Sequence, residues 1–206
     1  MKGSAGLQAC VLTGSFGRGA ASTAPKQQVG IGLWPLRLIA LNNANIARTP
    51  RIGFGWDSHE FKPGVPLKIG GVLIPHDSGL AGHSDGDVLL HALTDALLGA
   101  VAAGDIGTYF PPSDPKWKGA DSAVFVREAM NQIEAAGYVV GNVDSTLILA
   151  APKIGPHARA IQQQVAGLLG IEPSRVGIKA KTPEGMGTDN AAIAYVAVLL
   201  TEISWP

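Results

Sequence analysis

Residues 82–95 join a loop of small and acidic residues to a helical repeat that carries ionisable side chains. The repeat predicts a helix from about Asp87 to about Ala103. Leucines at helical spacing form its buried stripe, namely Leu89, Leu90, Leu93, Leu97 and Leu98. Asp87, His91 and Asp95 are four residues apart and share another face. A histidine there is either a metal ligand or a core residue paired with a carboxylate.

A second candidate group lies upstream, where Arg51 to Phe61 alternate as in a β-strand. Asp57 and His59 are two residues apart, so they point to the same face of that strand. With His91 they offer two imidazoles and one carboxylate, a zinc ligand set whose fourth position is open to water or substrate. The alternative is a pair of surface residues at a strand end and a separate helix histidine. Spacing alone leaves both open.

Charge is distributed unevenly along the 206 residues, although the formal net charge is zero. Residues 1–50 contain five basic residues and no acidic one, so the remainder has a net charge of −5 and no basic patch that would indicate nucleic-acid binding. An acid-free leader rich in Ser, Thr, Ala and Gly is typical of an organellar transit peptide. We therefore expect a disordered transit peptide over 1–50 and one folded domain over 51–206. The alternative is a tail with no address.

The leader contains the only cysteine, Cys10. The folded part therefore has no disulfide and no thiolate metal ligand. The apolar run from Val29 to Leu41 is too short to span a bilayer.

After the first strand, short strands and helices follow one another. Strands are expected at 67–74 around a Gly-Gly turn, 138–149, 175–181 and 191–203; helices at 122–136 and 157–169; irregular loops at 109–115 and 151–156. Either Asp85 or Asp87 can cap the helix of the opening motif. This order predicts an α+β domain with one mixed sheet backed by helices.

Two loops carry further chemistry. The carboxylate and free N–H groups of Asp105-Ile106-Gly107 could hold a ribose, and Lys181-Thr182-Pro183-Glu184 offers a cation, a hydroxyl and a carboxylate suited to phosphates and Mg²⁺. Each could also be plain loop chemistry. Together with the zinc ligand set, they favour a phosphate-handling metal enzyme.

Longer motifs follow one another in a characteristic order. They are Asp57-Ser58-His59 and residues 82–87, 91–100, 104–107, 110–114, 118–122, 141–144 and 151–153. Over 51–203 they resemble the 2-C-methyl-D-erythritol 2,4-cyclodiphosphate synthase family. The resemblance implies a homotrimer of α+β subunits, with sheets facing the three-fold axis and active sites between neighbouring subunits. We expect the alanines of the last strand, Ala191, Ala192, Ala194 and Ala197, to allow the sheets to approach closely.

The resemblance also implies a reaction. The substrate 4-diphosphocytidyl-2-C-methyl-D-erythritol 2-phosphate becomes the cyclic diphosphate and CMP is released, a step of non-mevalonate isoprenoid synthesis. The 2-phosphate is the nucleophile and is already anionic, so alignment and charge neutralisation suffice for catalysis. In plants and algae this pathway lies in the plastid, in agreement with the leader. Neither nucleic acid nor a membrane is an expected partner.

Roles follow for individual residues. Asp57, His59 and His91 match the zinc ligands, which also lie at the substrate, and Glu184 matches a ligand of Mg²⁺ or Mn²⁺. The residues that stabilise the transition state are matched by His83 and Thr182. Ser84 matches a residue that seats the methylerythritol phosphate. Three loops supply the remaining contacts: Asp105, Ile106 and Gly107 to the ribose; Phe110, Pro111, Pro112, Ser113 and Asp114 on the methylerythritol side; and Ala150, Ala151, Pro152, Lys153 and Ile154 with Lys181 around the cytidine.

One segment departs from the family pattern. After Gly187, bacterial members carry an Arg-Gly-Glu-Gly loop, whereas Thr188 to Ala192 follow here without an arginine. The resemblance therefore gives no support for an isoprenoid diphosphate site at the trimer axis.

Two alternatives belong to other classes. A non-catalytic, zinc-stabilised trimeric binder of a phosphorylated metabolite would close the zinc site with a fourth ligand, for which His76 and His157 are the candidates. A metallohydrolase would need a general base at the metal, and Glu60 points to the strand face opposite His59.

Overall fold

The structure is a computed structural model that describes residues 49–202. The predicted transit peptide, apart from its last two residues, and residues 203–206 lie outside the described part. The strands are β1 (Arg51–Pro63), β2 (Leu67–Ile69), β3 (Val72–Ile74), β4 (Ser78–Leu80), β5 (Tyr138–Ile148), β6 (Val176–Lys181) and β7 (Ala191–Glu202). The α-helices are α1 (Val88–Ala100), α2 (Ile106–Tyr109), α3 (Ala123–Ala135) and α4 (Ala158–Leu169).

Five strands form one sheet in the order β4-β1-β7-β5-β6, and β2 and β3 form a separate hairpin. Only β5 and β6 run parallel in the large sheet, so the predicted α+β class with one mixed sheet is confirmed. Residues paired on neighbouring strands form a row across this sheet. It runs from Ser58 on β1 through Ile193 on β7 and Ile148 on β5 to Lys181 on β6. The strand bearing the predicted zinc ligands and the strand preceding Thr182 therefore reach the same edge, three strand spacings or about 14 Å apart.

Helix α1 packs directly on β1 because β1 presents glycines to it. A Cβ atom added to Gly53 would lie 1.8 Å from the Ala96 carbonyl oxygen, and one added to Gly55 would lie 2.1 Å from that of Ala92. The predicted leucine stripe is confirmed, but 11 of the 13 residues of α1 are buried. A helix buried on nearly every side belongs to the interior of the domain.

Helix α1 begins as predicted but ends earlier than expected. Asp87 is its N-cap: its carboxylate accepts hydrogen bonds from the backbone N–H groups of Leu90, Gly70 and Gly71, which joins the helix to the β2–β3 turn. The helix ends at Ala100 rather than near 103, since Ala102 has a φ of 56°, which interrupts helical geometry.

The sheet face opposite α1 is apolar and exposed. Ile52, Phe54 and Trp56 are 76%, 61% and 57% exposed, and the Phe54 ring stacks on Tyr195 with 6.1 Å between centroids. Of the four alanines expected to let the sheets approach, Ala192 and Ala194 face inward and are fully buried, which leaves only Ala191 and Ala197 on the open side. Large side chains therefore dominate the open face. Within 49–202, no helix has the length and apolar character needed to cross a bilayer.

Candidate active site

The three predicted zinc ligands converge at one edge of the sheet. Alternation along β1 turns Asp57 and His59 toward α1, which supplies His91. Asp57 Oδ2 lies 2.8 Å from His59 Nε2 and 3.0 Å from His91 Nδ1, and the two ring nitrogens are 3.0 Å apart. Burial alone would raise the pKa of Asp57, but the adjacent imidazoles of His59 and His91 outweigh it and hold that pKa well below its usual range. The carboxylate is therefore ionised at neutral pH.

The donor set of this cluster fits a zinc ion. Zinc bonds of about 2.0–2.2 Å in a tetrahedron place ligand atoms about 3.3–3.5 Å apart, close to the distances between these three atoms. When both imidazoles are neutral, two ring nitrogens and a carboxylate oxygen can each direct a lone pair at one shared cation. In residues 49–202, these three are the only group of His, Cys, Asp or Glu side chains with this geometry.

The residues considered as a fourth zinc ligand or as the general base of a hydrolase lie outside the Asp57, His59 and His91 cluster. His76 is exposed and contacts Ser78, and His157 is the N-cap of α4. Glu60 is exposed and accepts a hydrogen bond from the Asn190 side chain. None of the three joins the cluster, so the described residues supply no fourth His, Cys, Asp or Glu ligand to it.

The cluster opens into a cavity of about 260 Å³ that His83 and Ser84 also line. Backbone hydrogen bonds hold their loop to residues 117–121: Gly119 N–H donates to the His83 carbonyl, and Asp85 N–H donates to the Ala120 carbonyl. The His83 side chain is exposed. Its imidazole is therefore accessible to a ligand in the cavity.

A cluster of aromatic rings also lines this cavity. Phe110 lies 4.4 Å from Phe125 and 4.8 Å from Trp117 between ring centroids. The sequence predicted Phe110 but missed the other two. Phe125 lies on the apolar face of α3, where the sequence pattern predicts a core residue. Trp117 follows a proline-rich loop and has no regular spacing that would indicate a role.

The predicted ribose loop lies beside the metal cluster. Ile106 and Gly107 line the same cavity, and Ile106 N–H donates to Asp95. The Asp105 carboxylate instead caps α2 by accepting from the Thr108 backbone and hydroxyl, which lowers its pKa.

Only part of the predicted methylerythritol loop lines the cavity. Phe110 and Pro112 line the cavity, whereas Asp114 caps a 3₁₀ turn at residues 115–117. Pro111 and Ser113 do not line it.

A second cavity, of about 290 Å³, contains most of the predicted cytidine pocket. Its lining includes Ala150, Pro152, Lys153, Ile154, Lys181 and Thr182. Ala151, which precedes the cis Pro152 bond, does not line it. Thr182 donates a hydrogen bond to the Glu184 carboxylate just outside. The two cavities share no lining residue, so the described chain divides the predicted site residues into two groups.

Comparison with known proteins agrees with this arrangement. The profile of the YgbB family matches residues 50–202. A 2-C-methyl-D-erythritol 2,4-cyclodiphosphate synthase of Koribacter versatilis is 72% identical over 150 residues, which cover 73% of this chain and 97% of the relative. The chloroplastic synthase of Arabidopsis thaliana is 53% identical over 153 residues and is covered to 66% of its length.

Solved structures give the same result. One synthase in a CDP-bound form is 45% identical, with a TM-score of 0.69 over 73% of this chain and 99% of that one. A Plasmodium falciparum structure named IspF, in a CDP complex, is 34% identical, with a TM-score of 0.67 over 75% of this chain and 97% of that one. The chain belongs to the YgbB family, the family of the 2-C-methyl-D-erythritol 2,4-cyclodiphosphate synthases.

Proposed function

We propose that this chain converts 4-diphosphocytidyl-2-C-methyl-D-erythritol 2-phosphate into 2-C-methyl-D-erythritol 2,4-cyclodiphosphate and CMP by intramolecular phosphoryl transfer. The convergence of Asp57, His59 and His91 beside the cavity of His83 and Ser84 carries this proposal. The synthases that resemble the chain carry the same reaction in their name. The enzyme is accordingly a lyase of isoprenoid precursor synthesis.

The metal cluster and its cavity position the reacting phosphates. Asp57, His59 and His91 would hold zinc, which supplies Lewis acidity to a phosphate oxygen. His83 and Ser84 offer donors to the methylerythritol phosphate. An oxygen of the 2-phosphate forms a bond to the β-phosphorus, while the bond from that phosphorus to the bridging oxygen breaks and CMP departs with the electron pair.

The second cavity binds the nucleotide end. Ala150, Pro152, Lys153 and Ile154 form part of its wall, and Lys181 adds a cation for the α-phosphate. Glu184 would hold Mg²⁺ or Mn²⁺, the hard cations that carboxylates and phosphate oxygens share. The structure of CDP bound to a related synthase supports a cytidyl ligand.

A homotrimer would join the two cavities. The open face of β1 and β7 carries Ile52, Phe54, Trp56 and Tyr195, all of them exposed in the single chain. An apolar face of this kind is typical of a subunit interface. Closing it around a three-fold axis would bring the metal cluster of one subunit to the Thr182 loop of its neighbour.

We propose that residues 1–50 direct import of the protein into the plastid. Their acid-free composition and the chloroplastic location named for the Arabidopsis relative support it. Import of a fluorescent fusion of this segment into plastids is the direct test.

Incubation of the purified protein with the cytidyl substrate, followed by phosphorus NMR, tests the reaction. The expected spectrum loses the substrate diphosphate and gains the cyclic diphosphate and CMP in equal amounts. Substrate that binds to the zinc-loaded protein but stays intact would instead support the non-catalytic binder.

A further inference from the structure

A chain of polar side chains leads from the protein surface to the back of His91. Ser122 is fully buried and places Oγ 2.9 Å from His91 Nε2. Its hydroxyl and its backbone N–H both contact the carboxylate of Asp85. On the outer side, Lys68 Nζ lies 2.7 Å from Asp85 Oδ2. The proposed reaction gives these three residues no role, although they end on a candidate metal ligand.

Asp85 determines the direction of the hydrogen bonds that link Lys68, Ser122 and His91. Burial would raise its pKa, but hydrogen bonds from Lys68 and Ser122 outweigh burial and lower it, so the group is a carboxylate at neutral pH. A carboxylate only accepts, which means that Ser122 donates its single hydroxyl proton to Asp85. Ser122 then offers His91 Nε2 only a lone pair, which favours a ring proton on Nε2.

We propose that Lys68, Asp85 and Ser122 are positioning residues that hold His91 in the tautomer with a free lone pair on Nδ1. Nδ1 is the ring atom that faces Asp57 and His59, and it can bind a metal only without a proton. Residues behind a metal-binding histidine commonly have this role. The inference rests on the metal site of the proposed function.

Ser84 adds a second acceptor at the same ring atom. Its Oγ lies 2.8 Å from His91 Nε2 and 3.3 Å from Ser122 Oγ. If Ser84 accepts from the imidazole, its own hydroxyl proton stays available to a phosphate oxygen in the adjoining cavity. One residue thus touches both the metal ligand and the space for the substrate.

The substitution Asp85→Asn tests the tautomer because it reverses the hydrogen bond between residue 85 and Ser122 while the shape of the side chain stays almost the same. Lys68 and the Ser122 backbone N–H both donate to the Oδ2 position, which an amide satisfies only with its carbonyl oxygen. The amide NH₂ then faces Ser122 Oγ and donates to it. Ser122 must turn its proton toward His91, which favours a bare Nε2 and a protonated Nδ1.

We expect the zinc affinity of Asp85→Asn, measured by chelator competition, to fall about 10- to 100-fold, as for other changes behind metal ligands. Asp121→Asn is the matched control, since the Asp121 carboxylate also pairs with Lys68, at 3.1 Å, but accepts from the Ala123 N–H rather than from Ser122. Its zinc affinity should stay within about twofold of wild type. Ser122→Ala should lose less affinity than Asp85→Asn, because Ser84 still accepts the Nε2 proton.

Nitrogen-15 NMR of the imidazoles provides a readout that altered packing alone would not move. In metal-free protein, the neutral ring of His91 should carry its proton on Nε2 in wild type and on Nδ1 in Asp85→Asn. A bare Nε2 in wild type would overturn the proposal even if no variant folds. So would an Asp85→Asn protein that binds zinc within twofold of wild type.

Failure of the proposed function would look different. A wild-type chain that binds no zinc, or binds it without releasing CMP, counts against the proposed function. Wild-type zinc binding that is indifferent to Asp85→Asn counts against the tautomer alone.

Discussion

His91 differs from the other two candidate ligands because it belongs to a helix that is buried on nearly every side. We expect His91→Ala to lower zinc affinity at least about 100-fold and to abolish turnover. The helix should survive, since Leu89, Leu93 and Leu97 still anchor it in the core. Metal analysis and circular dichroism of the purified variant check both expectations.

His76→Ala is the control for this substitution. His76 is exposed and lies outside the cluster, so its removal should leave the zinc content unchanged. Full zinc content in His91→Ala would remove His91 from the ligand set.

Single residues could be predicted where a local period determines their direction. Alternation along a strand placed Asp57 and His59 together, and helical spacing supplied His91. The same spacing did not distinguish the tasks of Asp87 and Asp95, which hold backbone N–H groups of distant loops. Ser122 could not be found either, because its contact with His91 joins residues 31 positions apart.

At the level of elements, the contact between α1 and β1 depends on the glycines of β1. Gly53→Ala should destabilise the fold by about 3 kcal/mol or more, because the added methyl group meets the rigid backbone of α1. Gly99→Ala, in an exposed position of α1 with open space around it, should stabilise the fold by about 0.5–1 kcal/mol. Urea unfolding of both variants provides the comparison. Equal midpoints would show that α1 can move away from the sheet.

Elements with several turns or alternating pairs could be predicted, and so could the short strands β2 and β3, which flank a Gly-Gly turn, but β4 and α2 could not. Strand β4 has three residues and α2 has four, too few for either period to appear. The end of α1 was missed because Ala102, not a glycine, takes the left-handed conformation. The burial of Ala192 and Ala194 follows from pairing with β1, which places them opposite His59 and Asp57.

For the whole molecule, the two separate cavities predict a site that needs two subunits. His91→Ala and Glu184→Ala homotrimers should each be nearly inactive. Mixing and reassembling them should restore activity at interfaces that combine an intact His91 with an intact Glu184. With free exchange in a cyclic trimer, this occurs at about a quarter of the interfaces.

Activity of the mixture and native mass spectrometry together decide the matter. Recovery of about a quarter of the wild-type rate is expected once mixed trimers are present. Mixed trimers without any activity would place each complete site within one chain. A wild-type protein that remains monomeric would contradict the proposed assembly itself.

Because α1 is buried, the metal-binding half of the proposed site should open to solvent much more slowly than the loop that carries Glu184. Amide hydrogens of a helix enclosed by the core exchange with solvent mainly when the whole domain unfolds. Residues 184–187 are exposed, and Gly185 and Gly187 have positive φ angles, so this segment should open locally and exchange far sooner. Native-state hydrogen exchange should therefore find a metal-binding half that persists for the lifetime of the folded chain. The Glu184 segment beside the nucleotide cavity would open and re-form many times within that lifetime.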